Sequence, residues 1–490
     1  MGYARTWGAV VVGVEGHLVE VEAHIGGGLP EFRLVGLPDT AVRESRDRVR
    51  SALKQLGVSV PPGRITVNLA PARLRKAGSS LDLPIACAVL GAAGTIPGPV
   101  LSRCVLIGEL SLDGKLRSVD GLVALLVAAR RPGLTVVVPE AARPVAERIA
   151  GVPLEAAPSL AEVVRGLRSN SVPSAAPRAA TGQGEPYVFP EPQTSLSAAV
   201  PGGEDMAEVR GQALARRAAE IAAAGWHHLM LVGPPGSGKT MLARRLVGIL
   251  PPLTRQEWLE VLQIDSAAAG RLSEQGREVV EWHPWLGRPF RAPHHTCTVA
   301  GLIGGGPRLS PGELTLAHRG VLFLDEFAEL AREVADALRE PMEEGWVTLV
   351  RGSAAIRLPA EALVVGAANP CPCGRFGSRW PGAGCQCDAG ELRRYRRRLQ
   401  GPLSDRFDLW LRMKPVAEME LLTARPAESS PVIRGRVIEA RQRQLRRFLG
   451  DGWRPVPFGR SPVNGRMTSD EVRRFCRLDG QLESKMMEMA

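Results

Sequence analysis

Residues 233–240 read Gly-Pro-Pro-Gly-Ser-Gly-Lys-Thr and lie between an apolar run at 229–232 and a helix-like run at 241–249. A strand, a glycine-rich loop and a helix in this order match the pattern G-x-x-x-x-G-K-[ST] in its required context. The glycines let backbone N–H groups converge on phosphates, and the start of the helix adds a favourable dipole. The stretch therefore predicts a phosphate loop that binds ATP, in which Lys239 neutralises the β- and γ-phosphates and the Thr240 hydroxyl coordinates Mg²⁺.

A second apolar run, Val321–Leu324, ends in two acidic residues. A carboxylate at the end of a buried strand downstream of a phosphate loop holds the Mg²⁺ shell, which is the role we expect for Asp325. Glu326 is expected to orient or deprotonate the attacking water. The residues predicted to bind ATP and Mg²⁺ are Gly233, Pro234, Pro235, Gly236, Ser237, Gly238, Lys239, Thr240 and Asp325.

Two further polar residues are candidates for the same site. Asn369 ends the apolar run that starts at Leu363, where its amide can hydrogen-bond the γ-phosphate or the water as a sensor; alternatively, it starts a turn. Arg406 follows a basic helix predicted at 391–399. It could reach a neighbouring subunit's γ-phosphate as a finger in trans, or it could be a surface arginine in an ion pair.

The length of the chain indicates more than one domain. The 490 residues carry a formal net charge of +11, and nearly all of the basic residues are arginine. A chain of this length is too long for a single hydrophobic core, so two or three domains are expected.

The arginine content favours a phosphate-rich partner, but codon bias in a GC-rich genome explains it equally well. The chain lacks a run that predicts a transmembrane helix or a secretory signal, so we expect a cytoplasmic protein without a membrane partner.

The pattern divides the chain into four parts. Residues 1–167 alternate strand-like and helix-like runs and predict a compact α/β domain. Residues 168–203 are rich in Pro, Ser, Ala and Gly and predict a linker. Residues 204–415 predict a parallel sheet, and residues 416–490 predict a mostly helical, basic segment. The elements predicted in the first part are strands Trp7–Val14, His17–Ile25, Arg64–Leu69, Val105–Leu110 and Thr135–Val138 and helices Ala41–Leu56 and Leu83–Ala93.

Four of the eight cysteines form two C-x-C pairs, Cys371 with Cys373 and Cys385 with Cys387. Four thiolates can bind a structural Zn²⁺ tetrahedrally and stiffen a loop that has little core of its own. The C-x-C spacing is tighter than the usual C-x-x-C, so free thiols are the alternative. Because the loop follows Asn369, a metal there would also fix the geometry of that amide.

Together these motifs resemble the AAA+ ATPases, and more narrowly the magnesium-chelatase-like group called YifB or ComM. The resemblance extends over nearly the whole chain and rests on strings that are more specific than a phosphate loop. These strings are Arg291–Thr296, Gly304–Pro307, Pro311–His318, Gly320–Glu326, Ala368–Gly374 and Gly401–Asp408. The resemblance implies an ATPase ring, expected to be a hexamer, with Asn369 as sensor 1 and Arg406 as the arginine finger. The catalytic residues that it implies are Lys239, Glu326, Asn369 and Arg406.

The resemblance also implies a partner. ComM-like proteins are DNA-dependent branch-migration helicases that help to integrate incoming single strands during natural transformation, so single-stranded or branched DNA is the implied partner here. Two segments are predicted to line a central pore and to follow a phosphate backbone. One is the insert around Arg291–His295 and Gly304–Arg308, and the other is a hairpin at Trp346–Arg357.

Two residue pairs within these segments have a predicted local role. Arg351 and Arg357 of the hairpin are candidates for phosphate contacts. His294 and His295 are interpreted as a hydrogen-bonded loop pair rather than as metal ligands, because no other ligand has suitable spacing.

The N-terminal part resembles the proteolytic domain of Lon, through strings such as Ile107–Gly114. Lon uses a Ser–Lys dyad in which the lysine activates the serine. Ser80 falls where the nucleophile would be, but Leu125 occupies the place of the lysine, and Lys76 and Lys115 are misplaced. Leucine cannot accept a proton, so the domain is expected to be non-proteolytic and to serve assembly or DNA handling.

The predicted fold class is α/β: a Lon-protease-like α+β domain, then an AAA+ P-loop domain with a parallel sheet and a partial helical C-terminal lid. Family members continue beyond the position of Ala490 and complete the lid, so a fragment or an incomplete lid is expected. The leading hypothesis is an ATP-driven motor that acts on DNA. The alternatives are a protein-remodelling or magnesium-chelatase-type ATPase and a nucleotide-dependent scaffold without turnover. The Lon-like domain and the cysteine loop argue against a chelatase subunit.

Overall fold

The computed structural model describes most of the chain. The described residues are 2–58, 63–149, 151–169, 204–273, 287–306, 309–351, 354–377, 384–401, 403–415, 427–477 and 480–489. Nearly all of the predicted linker at 168–203 lies outside them, as do residues 416–426 of the predicted lid.

The N-terminal domain alternates strands and helices. Its elements are β1 (Gly2–Val12), β2 (Glu15–Gly26), β3 (Glu31–Val35), α1 (Thr40–Gln55), β4 (Arg64–Ala70), α2 (Asp82–Ala92), α3 (Gly98–Leu101), β5 (Cys104–Leu106), β6 (Glu109–Leu110), β7 (Leu116–Arg117), α4 (Leu122–Ala128), β8 (Thr135–Pro139), α5 (Arg143–Ile149), β9 (Leu154–Ala157) and α6 (Leu160–Arg168). Seven of the strands form one mixed sheet in the order β3-β4-β2-β1-β5-β8-β9. The antiparallel pairing of β1 with β2 confirms the predicted hairpin.

One strand predicted for this domain is interrupted in the structure. The run Val105–Leu110 is apolar, but it divides between β5 and β6, and the two segments belong to different sheets. The Gly108 backbone leaves the ladder and bonds instead to the start of α2: its N–H donates to the Ser80 carbonyl (3.3 Å), and its carbonyl accepts from Leu83 N–H (3.1 Å). A tertiary contact thus overrides the local strand propensity.

The ATPase part contains a parallel sheet. Its elements are α7 (Ala213–Gly225), β10 (Leu229–Val232), α8 (Lys239–Ile249), α9 (Arg255–Ser273), β11 (Phe290–Arg291), α10 (Val299–Ile303), β12 (Gly304–Gly305), β13 (Ser310–Pro311), α11 (Glu313–Leu316), β14 (Val321–Leu324), α12 (Arg332–Glu344), β15 (Trp346–Arg351), β16 (Ala354–Pro359), β17 (Leu363–Ala368), α13 (Ala389–Leu399) and β18 (Leu409–Arg412). Five strands pair in parallel in the order β11-β14-β17-β10-β18. The carboxyl ends of β10, β14 and β17 therefore meet at one edge of the sheet, which is where ligands bind in open α/β sheets. The α/β fold class is confirmed.

Helices follow the sheet, as the basic C-terminal segment predicts. They are α14 (Ser430–Gly450), α15 (Ser469–Phe475) and α16 (Gly480–Met489). Residues 451–468 between them are irregular apart from a short 3₁₀ turn. Prolines at 455, 457 and 462 explain the interruption, because proline lacks the N–H that a helix interior needs. Among the helices that the structure describes, none has both the length and the apolar character required to cross a bilayer.

The N-terminal domain packs against the ATPase part through α4 and α9. The N–H groups of Gly121 and Val123 at the start of α4 donate to the carbonyl and the hydroxyl of Ser266 at 3.0 and 3.2 Å. Trp258 and Leu262 of α9 are buried in the same apolar cluster as the side chains of α4. The contact thus combines buried apolar surface with paired backbone donors.

A buried cluster of charged side chains surrounds Arg319, just before β14. The Arg319 guanidinium donates to Glu260 (2.7 Å), Glu361 (2.7 Å) and the Ser461 hydroxyl (2.7 Å), and the three charged side chains are at most 5% exposed. Arg319 adopts a left-handed conformation at φ 60°. The cluster thus fixes the turn that delivers β14, and with it Asp325, to the edge of the sheet.

Replacing Glu361 with alanine is expected to lower the free energy of unfolding by about 3–5 kcal/mol, because it leaves the buried Arg319 charge without one of its two carboxylates. Chemical denaturation followed by tryptophan fluorescence measures the loss. The control is Glu439→Ala, which removes an exposed ion pair with Arg443 on α14 and is expected to change stability by less than about 0.5 kcal/mol. Equal effects of the two variants would contradict a structural role for the cluster.

Candidate functional site

The phosphate loop has the backbone that its sequence predicts. Gly236 and Gly238 adopt left-handed conformations at φ +76° and +88°, which side chains other than glycine disfavour. A Cβ atom at Gly233 would lie 2.8 Å from Ser237 Oγ and 2.9 Å from the Met413 carbonyl oxygen. The loop therefore needs glycine at these three positions, and α8 begins directly after it at Lys239.

The Lys239 ammonium lies inside the loop. Its Nζ donates to the carbonyl oxygens of Gly233 (2.6 Å) and Pro234 (3.0 Å) and to Asn369 Oδ1 (3.3 Å). Burial lowers the pKa of Lys239, and the nearby Asp325 carboxylate opposes that shift. The two carbonyl acceptors are neutral oxygens, which phosphate oxygens can replace with a stronger, charge-assisted interaction.

The side chains at the end of the loop fit a magnesium ion and a phosphate group. Thr240 Oγ1 donates to Asp325 Oδ2 at 3.2 Å, so a hydroxyl and a carboxylate, both hard oxygen donors, lie side by side. Among the described residues, the buried Ser237 hydroxyl has no hydrogen-bond partner, as expected for a group that awaits a ligand. Thr240 and Asp325 would hold Mg²⁺, which when bound neutralises charge on the phosphate oxygens.

Glu326 is held by a contact that the sequence analysis missed. Its backbone is left-handed at φ 49°, a strained conformation for this residue, and its N–H donates to Asp325 Oδ1 at 2.9 Å. One carboxylate oxygen lies 2.6 Å from His295 Nδ1. His294 instead contacts the Thr296 hydroxyl at 2.8 Å, so the two histidines bond to different partners and not to each other. The only signal in the sequence was the His-His string itself.

A cavity of about 340 Å³ opens beside these residues. Its lining consists of Thr240, Arg244, Ala292, Pro293, His294, His295, Phe323, Asp325 and Glu326. Residues Ala292–His295 therefore border the predicted nucleotide site. Arg291 itself is paired with Glu313 at 2.6 Å, so its guanidinium is already bonded within the chain. The predicted role of this segment in lining a pore stays a prediction, and Pro307 and Arg308 lie outside the described residues.

Asn369 reaches the loop from the neighbouring strand. It follows β17, which pairs with β10 in parallel, and its amide oxygen accepts from Lys239. The Tyr395 hydroxyl of α13 donates to the Asn369 carbonyl at 3.0 Å. Burial raises the pKa of Tyr395 to about 12, so the phenol keeps the proton that this bond needs. The structure thus brings Lys239, Thr240, Asp325, Glu326 and Asn369 together, while the sensor role stays a prediction.

Arg406 has a different position. Its Nη2 lies 2.6 Å from Glu343 Oε2 of α12, and both side chains are more than a third exposed. No hydrogen bond or ion pair between Arg406 and residues 233–240 occurs among the described residues. The ion pair that the sequence left as an alternative is present within the chain, and a finger role toward a neighbouring subunit stays a prediction.

The four cysteines of the two C-x-C pairs converge. Their sulfur atoms all lie within 4.8 Å of one another. The separations are 3.4 Å between Cys371 and Cys373, and 3.7 Å from Cys385 to each of these two. A disulfide requires about 2.05 Å, so these are separate sulfur atoms.

The residues aligned with the Lon dyad have structural contacts. Ser80 is buried, and its hydroxyl donates to the Ala9 carbonyl at 2.8 Å. Leu125 is buried in an apolar cluster. The Lys76 ammonium donates to the carbonyls of Gly36 and Pro71, and burial lowers its pKa. Lys115 pairs with Asp113 at the surface.

The predicted hairpin is confirmed as β15 and β16. The two strands pair antiparallel from Trp346 opposite Pro359 to Arg351 opposite Ala354. Val350 is 70% exposed and Arg351 is also exposed near the tip, whereas the Arg357 guanidinium lies over the Trp346 ring, 4.7 Å from its centroid. Arg351 is thus the better placed of the two for contact with a partner.

Known proteins resemble this chain along most of its length. Residues 205–421 match the family model described as magnesium chelatase, subunit ChlI, and residues 21–142 match the model described as subunit ChlI of Mg-chelatase. An uncharacterized protein of Mycobacterium tuberculosis is 43% identical over 93% of this chain and 85% of its own length. The uncharacterized protein YifB of Escherichia coli is 39% identical over 96% and 85%. The competence protein ComM of Haemophilus influenzae is 36% identical over 98% and 87%.

Proposed function

The chain belongs to the YifB/ComM family of AAA+ ATPases, and we propose that it is an ATP-driven motor that acts on single-stranded or branched DNA. One observation supports the proposed ATPase activity: the carboxyl ends of β10, β14 and β17 meet at the phosphate loop. Thr240 bonds to Asp325 after β14, and Lys239 bonds to Asn369 after β17. These contacts support a preorganised site, in which the groups that bind phosphate need little rearrangement.

Each residue of this site has a chemical task in the proposal. Lys239 exchanges its carbonyl partners for phosphate oxygens and neutralises their charge. Glu326 accepts a proton from the attacking water through Oε1, because His295 contacts its other carboxylate oxygen, Oε2. Asn369 keeps its amide oxygen toward Lys239 and offers its NH₂ group to the γ-phosphate or to the water. His295 is therefore a positioning residue for Glu326.

The DNA part of the proposal rests on the family and on the hairpin. A relative bears the name competence protein ComM, and the resemblance to ComM-like proteins implies branch migration during natural transformation. The net charge of +11 favours association with nucleic acid. An exposed arginine beside an exposed apolar residue, as at Arg351 and Val350, suits a phosphate backbone flanked by bases.

Arg351→Ala is expected to weaken DNA binding at all sequences and to reduce the salt dependence of the affinity by about one phosphate contact. The dissociation constant for labelled single-stranded DNA, measured at several salt concentrations, gives the slope. Arg332→Ala is the matched control, because Arg332 is a 90% exposed arginine on the preceding helix α12. An unchanged slope in Arg351→Ala would contradict the role of the hairpin tip.

We propose a ring, expected to be a hexamer, as the active assembly. An arginine finger acts on a phosphate bound to a neighbouring subunit. Arg406 contacts only Glu343 among ionised partners of the described chain, and a surface pair of this kind contributes at most about 1 kcal/mol, so it can be exchanged for a phosphate.

ATP turnover with and without DNA tests the proposed function. The rate is measured for the wild-type protein alone, with single-stranded DNA and with forked DNA, and Lys239→Ala serves as the inactive control. We expect DNA to accelerate turnover and Lys239→Ala to abolish it. A wild-type rate that no DNA changes would contradict the motor.

A magnesium-chelatase-type or protein-remodelling ATPase is the second candidate, because both matching family models carry the description ChlI. It predicts turnover that is insensitive to DNA. A nucleotide-dependent scaffold predicts ATP binding without turnover. The same assay therefore separates all three functions.

A further inference from the structure

The four cysteine sulfurs have the geometry of a zinc site. A tetrahedral Zn²⁺ with Zn–S bonds of about 2.3 Å places its sulfur atoms about 3.8 Å apart. The observed separations of 3.4, 3.7 and 3.7 Å among Cys371, Cys373 and Cys385 are close to this value, and Cys387 lies within 4.8 Å of the other three. The set is all sulfur, which selects zinc over magnesium or calcium.

The surroundings of the sulfurs also suit thiolates. The Phe376 N–H donates to Cys371 Sγ at 3.2 Å, and the backbone N–H groups of Arg375 and Gln386 point at Cys373 Sγ. Donors of this kind orient metal-bound thiolates and offset their negative charge. Cys371 is buried and the other three cysteines are partly exposed, so a metal that joins them would stiffen a loop at the surface of the protein.

The first pair of cysteines is joined to the phosphate loop by Gly374. This glycine is left-handed at φ +76°, and a Cβ atom on it would lie 2.7 Å from Pro235 Cδ and 4.0 Å from Asn369 Cγ. The backbone of the cysteine loop therefore packs directly against the phosphate loop. Only glycine allows this close approach.

The second pair is joined to the same site by α13. Asp388 follows Cys387 directly and caps this helix, accepting from the N–H groups of Gly390 and Glu391. Tyr395, on the helix, donates to the Asn369 carbonyl. The pair Cys371 and Cys373 is thus linked through Gly374 to Pro235. The pair Cys385 and Cys387 is linked through α13 to Asn369.

We propose that Cys371, Cys373, Cys385 and Cys387 bind one structural Zn²⁺, and that this site holds Asn369 and the phosphate loop in the conformation that binds ATP. The geometry of the four sulfur atoms supports the metal site by itself, whereas the effect of that site on ATP binding rests on the proposed function. Loss of the metal frees Gly374 and α13 together, so the contacts of Lys239 loosen with them.

Metal content tests the first half of the proposal without any ATPase measurement. Elemental analysis of the purified wild-type protein is expected to give one zinc per chain. A mercurial titration that blocks thiols is expected to release it to a colorimetric chelator, and this readout needs no variant to fold. Cys385→Ser is expected to lose the zinc, whereas Cys476→Ser, which changes an exposed free cysteine, is expected to retain it. Zinc-free protein, or iron with visible absorption, would overturn the assignment.

Nucleotide affinity tests the second half. Binding of a fluorescent ATP analogue is expected to weaken about tenfold or more in Cys385→Ser, as for the loss of groups that support a metal-linked site. Gly374→Ala is expected to retain zinc and still bind the analogue more weakly, because its methyl group displaces Pro235. Wild-type affinity in zinc-free Cys385→Ser would overturn the coupling and leave the metal site standing, and wild-type affinity in Gly374→Ala would exclude Gly374 as the link. Absence of ATP hydrolysis in the wild type would contradict the proposed function alone, since this binding assay needs no turnover.

Discussion

Glu326→Gln is expected to lower kcat for ATP hydrolysis by about 10²–10⁴-fold, the usual contribution of a positioned acid–base group. Glutamine has the same size as glutamate and keeps an oxygen for His295, but its amide cannot accept the proton of the attacking water. The contacts of Lys239, Thr240 and Asp325 do not involve the Glu326 side chain. ATP binding is therefore expected to persist while turnover is lost.

Single-turnover hydrolysis and binding of a fluorescent ATP analogue separate these two effects. Glu329→Gln is the matched control: Glu329 lies three residues further along, is exposed and pairs with Arg398 at 3.1 Å. We expect this variant to hydrolyse ATP as the wild type does. Wild-type turnover by Glu326→Gln would show that another group handles the proton.

Arg406→Ala is expected to reduce kcat by about 10³–10⁵-fold, the range attributed to arginine fingers. The positively charged guanidinium would stabilise the negative charge of the transferred phosphoryl group, and alanine has no charge with which to do so. Glu343→Ala is the control, because it removes the ion-pair partner of Arg406 and leaves the guanidinium in place. That variant is expected to retain turnover.

Mixing two inactive variants tests whether Arg406 acts between subunits. Lys239→Ala subunits keep an intact Arg406, and Arg406→Ala subunits keep an intact phosphate loop. In a mixed ring, some interfaces pair the intact loop of one subunit with the intact arginine of its neighbour. We expect the mixture to hydrolyse ATP faster than either variant alone. A mixture without added activity would contradict a finger in trans.

Local chemistry explains which parts of the site the sequence predicts. The phosphate loop and the acids after β14 are recognisable because their function requires particular residues at fixed spacing along the chain. The contacts of His295 with Glu326, Tyr395 with Asn369, and Gly374 with Pro235 join distant segments. Periodicity and motif spacing carry no information about such pairs.

The same limit applies to the fold. The hairpin of β1 and β2 follows from alternation of apolar residues along consecutive strands. The interruption at Gly108 depends on hydrogen bonds to Ser80 and Leu83 at the start of α2, which a local pattern does not encode. The buried cluster of Arg319 with Glu260 and Glu361 likewise appears in the sequence only as scattered charges.

Strand displacement from a branched DNA substrate tests the central claim most directly. A labelled three-stranded junction is incubated with the wild-type protein and ATP, and the released strand is measured over time. An ATP-driven DNA motor predicts release by the wild type with ATP, and none by Lys239→Ala, by Glu326→Gln or with a non-hydrolysable analogue. A wild-type protein that hydrolyses ATP in the presence of the junction but releases no strand would contradict the account.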